Sequence, residues 1–352
     1  MTAKYHQSRP KTAGSAAYGL TLVELMVAMA IGLLIVLAAV AVLTASRRGA
    51  STVDAASQLR DDARFATSLI QRLTVQTGFE DMQWARAPYS DSPQKYKLQN
   101  GVDINNLRPN IFGYDNSIPS ASDPLNTVTA RTPGTIGFGS DVLILQFQTA
   151  AMDDGSGTDG GMISCDGWPS NSIGADKSDR LVSILYVDLS ASSGQPALMC
   201  IKINDDGTFS KPTPLIDGVE NFQVLYGVDN VVPNTAPTGH SDGLAKRYLR
   251  ASQLTVSGND PATYVNWRRV NSVRIGLVLR GSTGSAQSVT SQTLYPLGSS
   301  NLSSPSDPGS TYTANDSLLR QTVTFTIHLR NCQNQGYQTD AGTSPCDVEM
   351  PS

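Results

Sequence analysis

Three hydrophobic patterns follow one another along the chain. Between Leu20 and Leu43 apolar side chains run almost without interruption, and Glu24 is the only charge between Lys11 and Arg47. The stretch 25–43 approaches the roughly 20 apolar residues that a helix needs to span a bilayer. Backbone groups in lipid must be satisfied within the segment, which requires a helix. Beyond it, Val53, Ala56, Leu59, Ala63, Ala66, Ile70 and Leu73 recur three or four residues apart. That is one face of an amphipathic helix, with Arg60, Asp61, Asp62 and Arg64 on the remaining surface. No proline occurs from Leu20 to Thr74, and Gly78 is a stop signal. One helix of about 55 residues, roughly 80 Å long, is predicted.

The third pattern is alternation. After Gly78, the chain to Gly139 is broken by Pro88, Pro93, Pro109, Pro119, Pro124 and Pro133 and reads as a long irregular connection. It is too long for an idle linker, so part of it is expected to form exposed binding or packing surface. Six strands are then predicted, at 142–148, 181–188, 197–203, 219–226, 273–280 and 323–330. In one of them Val273, Ile275, Leu277 and Leu279 share a face opposite Arg274 and Arg280. In another Val323, Phe325, Ile327 and Leu329 stand opposite Thr322, Thr324, Thr326 and His328. Asn204-Asp205-Asp206-Gly207 reads as a turn. The fold class expected is α+β: a long N-terminal helix, half transmembrane and half amphipathic, packed on a largely antiparallel sheet.

Composition changes this picture in two ways. The net charge of −4 lacks the basic excess of a nucleic-acid binder, so no direct nucleic-acid partner is expected. The four cysteines, Cys165, Cys200, Cys332 and Cys346, all follow the apolar segment. An even count in an exported region reads as two disulfides, for which three connectivities exist. Sequence proximity favours Cys165–Cys200 and Cys332–Cys346. No C-x-x-C spacing is present, so neither a zinc ribbon nor a thioredoxin-type site is indicated.

The N-terminus carries the functional information. An ordinary signal peptide would be cut after its apolar core at small residues, and Leu43-Thr44-Ala45 matches that poorly. A plain signal anchor explains the span but leaves Glu24 unexplained, and a charge at a membrane-helix centre costs about 2.5–3.5 kcal/mol. The segment Gly19-Leu20-Thr21-Leu22-Val23-Glu24-Leu25-Met26-Val27 resembles the prepilin peptidase recognition sequence of type IV pilins and type II secretion pseudopilins. The resemblance implies cleavage after Gly19, N-methylation of Leu20, and a role for Glu24 in subunit assembly. Leu20 stands where phenylalanine is usual. Cleavage would leave a positive α-amine at Leu20, and Glu24 of a neighbouring subunit would neutralise it and set the axial register.

Further segments resemble the PilW family of minor pilins: Asp217-Gly218-Val219-Glu220-Asn221-Phe222-Gln223-Val224-Leu225-Tyr226-Gly227, Val270-Asn271-Ser272-Val273-Arg274-Ile275-Gly276-Leu277-Val278-Leu279-Arg280, and the closing strand from Phe325 to Asn331. This likeness implies four regions: a leader at 1–19, a transmembrane or filament-core helix at 20–45, its amphipathic continuation at 46–77, and an extracytoplasmic β-rich domain at 78–352. It implies as partners a prepilin peptidase, major and minor pilins, the inner-membrane assembly machinery and membrane lipid. The expected location is a single-pass inner-membrane protein with a periplasmic domain, later built into a surface pilus. Lys4, Arg9 and Lys11 argue for a cytoplasmic N-terminus, although Arg47 and Arg48 follow the span. The cysteines favour an oxidising compartment on the C-terminal side.

Other chemistry finds little support. Asp153-Asp154-Gly155-Ser156-Gly157-Thr158-Asp159-Gly160-Gly161 offers oxygen ligands, but its spacing is not that of an EF-hand and no bidentate Glu follows. The histidines are His6, His240 and His328, and no G-x-S-x-G elbow accompanies them. No Gly-rich phosphate loop follows a strand. Neither catalysis nor a cofactor is expected. The rival readings are a type II secretion minor pseudopilin and a membrane-tethered binding protein that never polymerises.

Overall fold

The structure is a computed structural model, and it describes residues 19–81, 109–171, 173, 180–238, 243–286 and 288–331. With no proline to break it, helix α1 (Leu22–Val75) continues for 54 residues. The chain divides into two compact units, 1–51 and 52–352, so α1 belongs to both. In the first unit the helix is apolar all round and exposed all round, from Leu22 at 73% to Leu43 at 52%. It is long and apolar enough to cross a membrane.

In the second unit α1 buries one stripe: Ala55, Leu59, Ala63, Ala66, Ile70 and Leu73. The stripe starts two residues later than the sequence pattern implied. Val53 is exposed and Ala56 only half-buried. At 100° per residue Val53 lies far around the helix from Leu59, whereas Ala55 stands one turn below it.

After α1 come β1 (Ile111–Tyr114), β2 (Ser117–Pro119), β3 (Val128–Ala130), β4 (Val142–Phe147), β5 (Leu181–Leu189), β6 (Pro196–Lys202), β7 (Thr213–Asp217), β8 (Val219–Val228) and β9 (Arg247–Leu249). Two short helices, α2 (Ala251–Leu254) and α3 (Asp260–Arg268), precede β10 (Val270–Arg280), β11 (Thr290–Leu294), β12 (Tyr312–Asp316) and β13 (Arg320–His328). One sheet has the order β1-β4-β5-β6-β7 and another the order β13-β10-β8-β9, while β2-β3 and β11-β12 form separate hairpins. The pairings are antiparallel, as β10 against β13 with Val273 opposite Ile327. The architecture is α+β, a long helix with antiparallel sheets.

All six predicted strands are present within two or three residues of their expected ends. Val273, Ile275, Leu277 and Leu279 are fully buried. The matching face of β13 is less covered, because that strand lies at a sheet edge and only Ile327 is buried. The turn at Asn204 closes with the Gly207 amide donating to the Asn204 carbonyl at 2.9 Å.

The connection read as irregular holds ordered structure in its described part. Strand β1 pairs with β4, Ile111 opposite Leu145. Four residues containing a glycine and following a proline give no readable alternation, so pairing with β4 makes this strand rather than local propensity.

The two larger sheets are tied together at two places. Gly218 sits between β7 and β8 with φ of +82°, and its N–H donates to the Pro196 carbonyl at 2.7 Å while its own carbonyl accepts from Arg280 at 2.8 Å. A Cβ here would lie 2.8 Å from the Arg280 carbonyl oxygen, so only glycine passes the chain from one sheet to the other. Asp141, just before β4, donates its N–H to Phe222 and accepts from Val224 N at 2.8 Å and Asn116 N at 3.0 Å. Burial, and then the charges of Asp115 and Asp307, push its carboxyl well above the usual range.

Candidate functional site

The N-terminal segment builds its own cap. Helix α1 starts at Leu22, so Thr21 holds the N-cap position and Glu24 the third helical position. The Thr21 backbone N–H and hydroxyl donate to Glu24 Oε2 at 2.9 and 3.0 Å, and the Glu24 N–H donates to the Thr21 hydroxyl at 3.2 Å. This reciprocal arrangement satisfies amides that the first helical turn leaves without partners. A carboxylate there also complements the positive end of the helix dipole.

The geometry turns the Glu24 carboxylate back toward the start of the chain. Leu20, at 77% exposure, precedes the cap, and a Cβ added at Gly19 would meet nothing within 4 Å. Gly19, Leu20 and Glu24 therefore lie together on an open segment at the head of the apolar helix. Thr21 is the residue that motif reading passed over, although its signal, a Thr three residues before a Glu, was plain in the sequence.

In the second unit Cys165 and Cys200 form a disulfide with a Cα–Cα distance of 5.9 Å. It fastens the loop before β5 to β6, and the Cys165 N–H also donates to the Ser183 hydroxyl at 3.0 Å. Cys332 and Cys346 lie outside the described residues, as do His240 and the leader up to Tyr18, His6 included. The Asp153–Gly161 loop is held by Asx turns, with the Ser156 and Gly161 amides donating to Asp154 and Asp159. No metal-holding group of His, Cys, Asp or Glu occurs among the described residues.

Several buried charges in this unit form ion pairs. Arg320 places Nε 2.6 Å from Glu220 Oε2 and Nη1 2.6 Å from Asp316 Oδ1, while Arg280 reaches Glu220 at 3.1 Å. Burial opposes the Arg320 charge, but the hydrogen bonds it donates to Asp316 and Glu220 outweigh this and hold the guanidinium protonated. The Arg320 hydrogen bond in turn keeps Asp316 below the ordinary carboxylate range. Arg180 pairs with Glu80, both side chains buried, and donates to Asn110 at 2.8 Å. These contacts brace strand ends and offer no nucleophile beside a base.

The family described as Type IV Pilus-assembly protein W matches residues 184–331, from β5 to the end of β13. The prokaryotic N-terminal methylation motif matches residues 15–40. Among solved structures, a type IV-like pilin from Thermus thermophilus is similar at 14% identity and a TM-score of 0.38, covering 78% of this chain and 98% of its own. No curated protein matches the chain.

Proposed function

We propose that this chain is a PilW-type pilin, a minor subunit of a type IV pilus acting in initiation, priming or tip composition; the family match over 184–331 and the methylation motif over 15–40 support this reading. Adhesion, twitching motility or DNA uptake would follow only through the fibre. The reading rests above all on one juxtaposition. Gly19, Leu20 and Glu24 stand at the head of a helix whose first half, to Leu43, exposes its apolar side chains around the whole circumference. Such a surface needs lipid before assembly and neighbouring apolar helices after it.

In this reading residues 1–19 are the leader, and the peptidase cuts between Gly19 and Leu20 and the new amine of Leu20 is methylated. Residues 20–45 enter the filament core, 46–77 continue the helix, and 78–352 form the periplasmic domain. Glu24 exchanges its contact with Thr21 for the amine of a neighbouring Leu20. Pairing offsets the cost of burying either charge alone. The PilW match over 184–331 supports a pilus over a secretion pseudopilus. Pilin families are structural rather than catalytic.

The test is the composition of sheared fibres. The subunit should be present with an N-methylated Leu20 at its start. Glu24→Gln should insert, lose its leader and fold as before, yet fall in the ratio of fibre to membrane amount. A mature chain beginning near Ser46, or an unchanged ratio for the variant, would refute the respective part of the proposal.

A further inference from the structure

A cavity of about 450 Å³ opens between β1 and the pair α2 and α3. Phe112, Tyr114, Tyr264 and Trp267 line it, together with the carboxylates of Asp115 and Asp260. Its size falls within the range of small-ligand sites. Phe112 and Trp267 are buried and form its inner wall, Tyr114 and Tyr264 are half-buried, and Asp260 is exposed at the rim. Phe112 and Tyr114 meet edge to face, centroids 6.2 Å apart and planes at 80°, which presents a ring face and a ring edge side by side.

The charge on this wall is one-sided. Among the described residues lining the cavity there is no Lys, Arg or His. Asp115 accepts from the Ala251 and Ser252 amides at 2.9 and 3.0 Å, which fixes its carboxylate without neutralising it. Its charge is felt nearby. Burial, then Asp115, raises the Asp141 carboxyl, and burial with a smaller share from Asp115 pushes Asp307 up to about 6, against the pull of Arg250. Behind the wall, Tyr226 packs its ring on Trp267 with centroids 4.6 Å apart. Its hydroxyl is fully buried without a hydrogen-bond partner and would stand 2.2 Å from a Cβ at Gly113, another lining residue.

We propose that this cavity binds an organic cation, an ammonium or guanidinium group carried on an apolar stem. Ring faces attract such a cation through their quadrupoles, most strongly when it is desolvated, and Asp115 and Asp260 supply the countercharge. An anion would face two carboxylates with no cationic side chain among the described lining residues. A metal ion would find the Asp115 oxygens already accepting amide protons, with the rings of Phe112, Tyr114, Tyr264 and Trp267 in the surrounding wall. A neutral sugar would meet the Ser and Thr hydroxyls of the lining but would leave the charges of Asp115 and Asp260 without a counterion. A lysine side chain of another protein and a free diamine share the required chemistry.

The experiment titrates the full chain, in an uncharged detergent, with Nα-acetyl-lysine amide and with the uncharged norleucine analogue. The lysine compound should bind saturably and more weakly as salt rises, with the norleucine compound roughly tenfold weaker or worse. Asp260→Asn and Tyr264→Leu, both at positions with exposed or half-exposed side chains, should each weaken binding roughly fivefold while leaving the thermal melt in place. Equal binding of the norleucine compound, no saturation by the lysine compound, or unchanged affinity in both variants would overturn the proposal. So would a neutral hexose that saturates the site in place of the amine. A lysine-containing peptide and 1,5-diaminopentane identify the source. Tighter binding of the peptide points to a protein side chain and tighter binding of the diamine to a free amine, and either result upholds the cation site.

Discussion

Thr21 and Glu24 cap each other, and the carboxylate that would pair with a neighbouring subunit is already engaged within its own chain. Two donors from Thr21 orient Glu24 toward Leu20 before any partner arrives. Thr21→Val removes the hydroxyl and keeps the shape. Loss of such a cap costs about 1 kcal/mol. Amides of residues 22–24 should then exchange with solvent roughly fivefold faster in micelles, while Thr21→Ser behaves as wild type. Equal exchange in Thr21→Val would show that the cap contributes nothing to the helix start.

Gly19→Val should retain the leader. Among the described residues a Cβ at this position meets nothing within 4 Å, so the uncleaved protein should insert and fold unchanged. The block would then arise at the peptidase, where a β-branched side chain crowds the backbone. Mass spectrometry of membrane material distinguishes the two lengths, and a normally processed variant would remove the steric argument.

Arg320 holds β8 and β13 together through Glu220, and it holds Asp316 at the end of β12. Arg320→Met leaves the buried Glu220 with Arg280 as its remaining cation. Breaking one side of a buried pair costs about 3–5 kcal/mol, expected near the lower limit because Arg280 remains. Arg320→Lys should recover little, since a single ammonium cannot reproduce the forked contact. The midpoint of denaturant unfolding measures both, and an unchanged midpoint in Arg320→Met would show the network to be energetically neutral.

The Cys165–Cys200 bridge should appear in non-reducing peptide maps. Cys200→Ser should lower stability by about 2–4 kcal/mol, toward the upper end because the closed loop is long. Mapping also tests the Cys332–Cys346 pairing expected from sequence. Free thiols at Cys165 and Cys200 in exported protein would contradict the bridge.

Stability should rise as pH falls from about 7 to about 5. Asp307 titrates near 6 in the folded protein, pushed up by burial, and Asp141 is raised in the same direction. The folded state therefore takes up protons in this window before the unfolded chain does, and the penalty for their buried charges is lost. Below it, Asp316 reverses the trend, because a carboxylate held low by Arg320 loses its stabilising charge on protonation. Asp307→Asn should raise the melting temperature at pH 7.5, by an effect on the order of 2 kcal/mol, and change little at pH 4.5. A destabilised Asp307→Asn at pH 7.5 would oppose this account.

The N-terminal helix and its motif were legible in the sequence because they depend on neighbours along the chain. An uninterrupted apolar run, a proline-free amphipathic stripe and a lone Glu in the first turn each specify helix or membrane without reference to distant residues. The same holds for β10, whose alternation survives burial. Helix α3 was missed despite its own signal. Asn259 accepts from the Ala262 amide and Pro261 occupies the first turn, a start sequence visible in the chain but lacking a long apolar stripe behind it.

What only tertiary structure decided spans long separations. Asp115 reaches the amides of Ala251 and Ser252, 136 and 137 residues away, and Arg320 reaches Glu220 across 100. Residue type allows an Asp to be a surface charge, a cap or a buried staple, and its packed surroundings select among them. Strand β1 exists because β4 offers its edge, and Gly113 fits there because the Tyr226 hydroxyl takes the space of a side chain. The aromatic and acidic walls of the cavity likewise come from segments that no local pattern links. Local periodicity fixes the hydrogen bonds a segment can make with itself, whereas sheet order, buried charge and cavities depend on which distant surfaces are closed against each other.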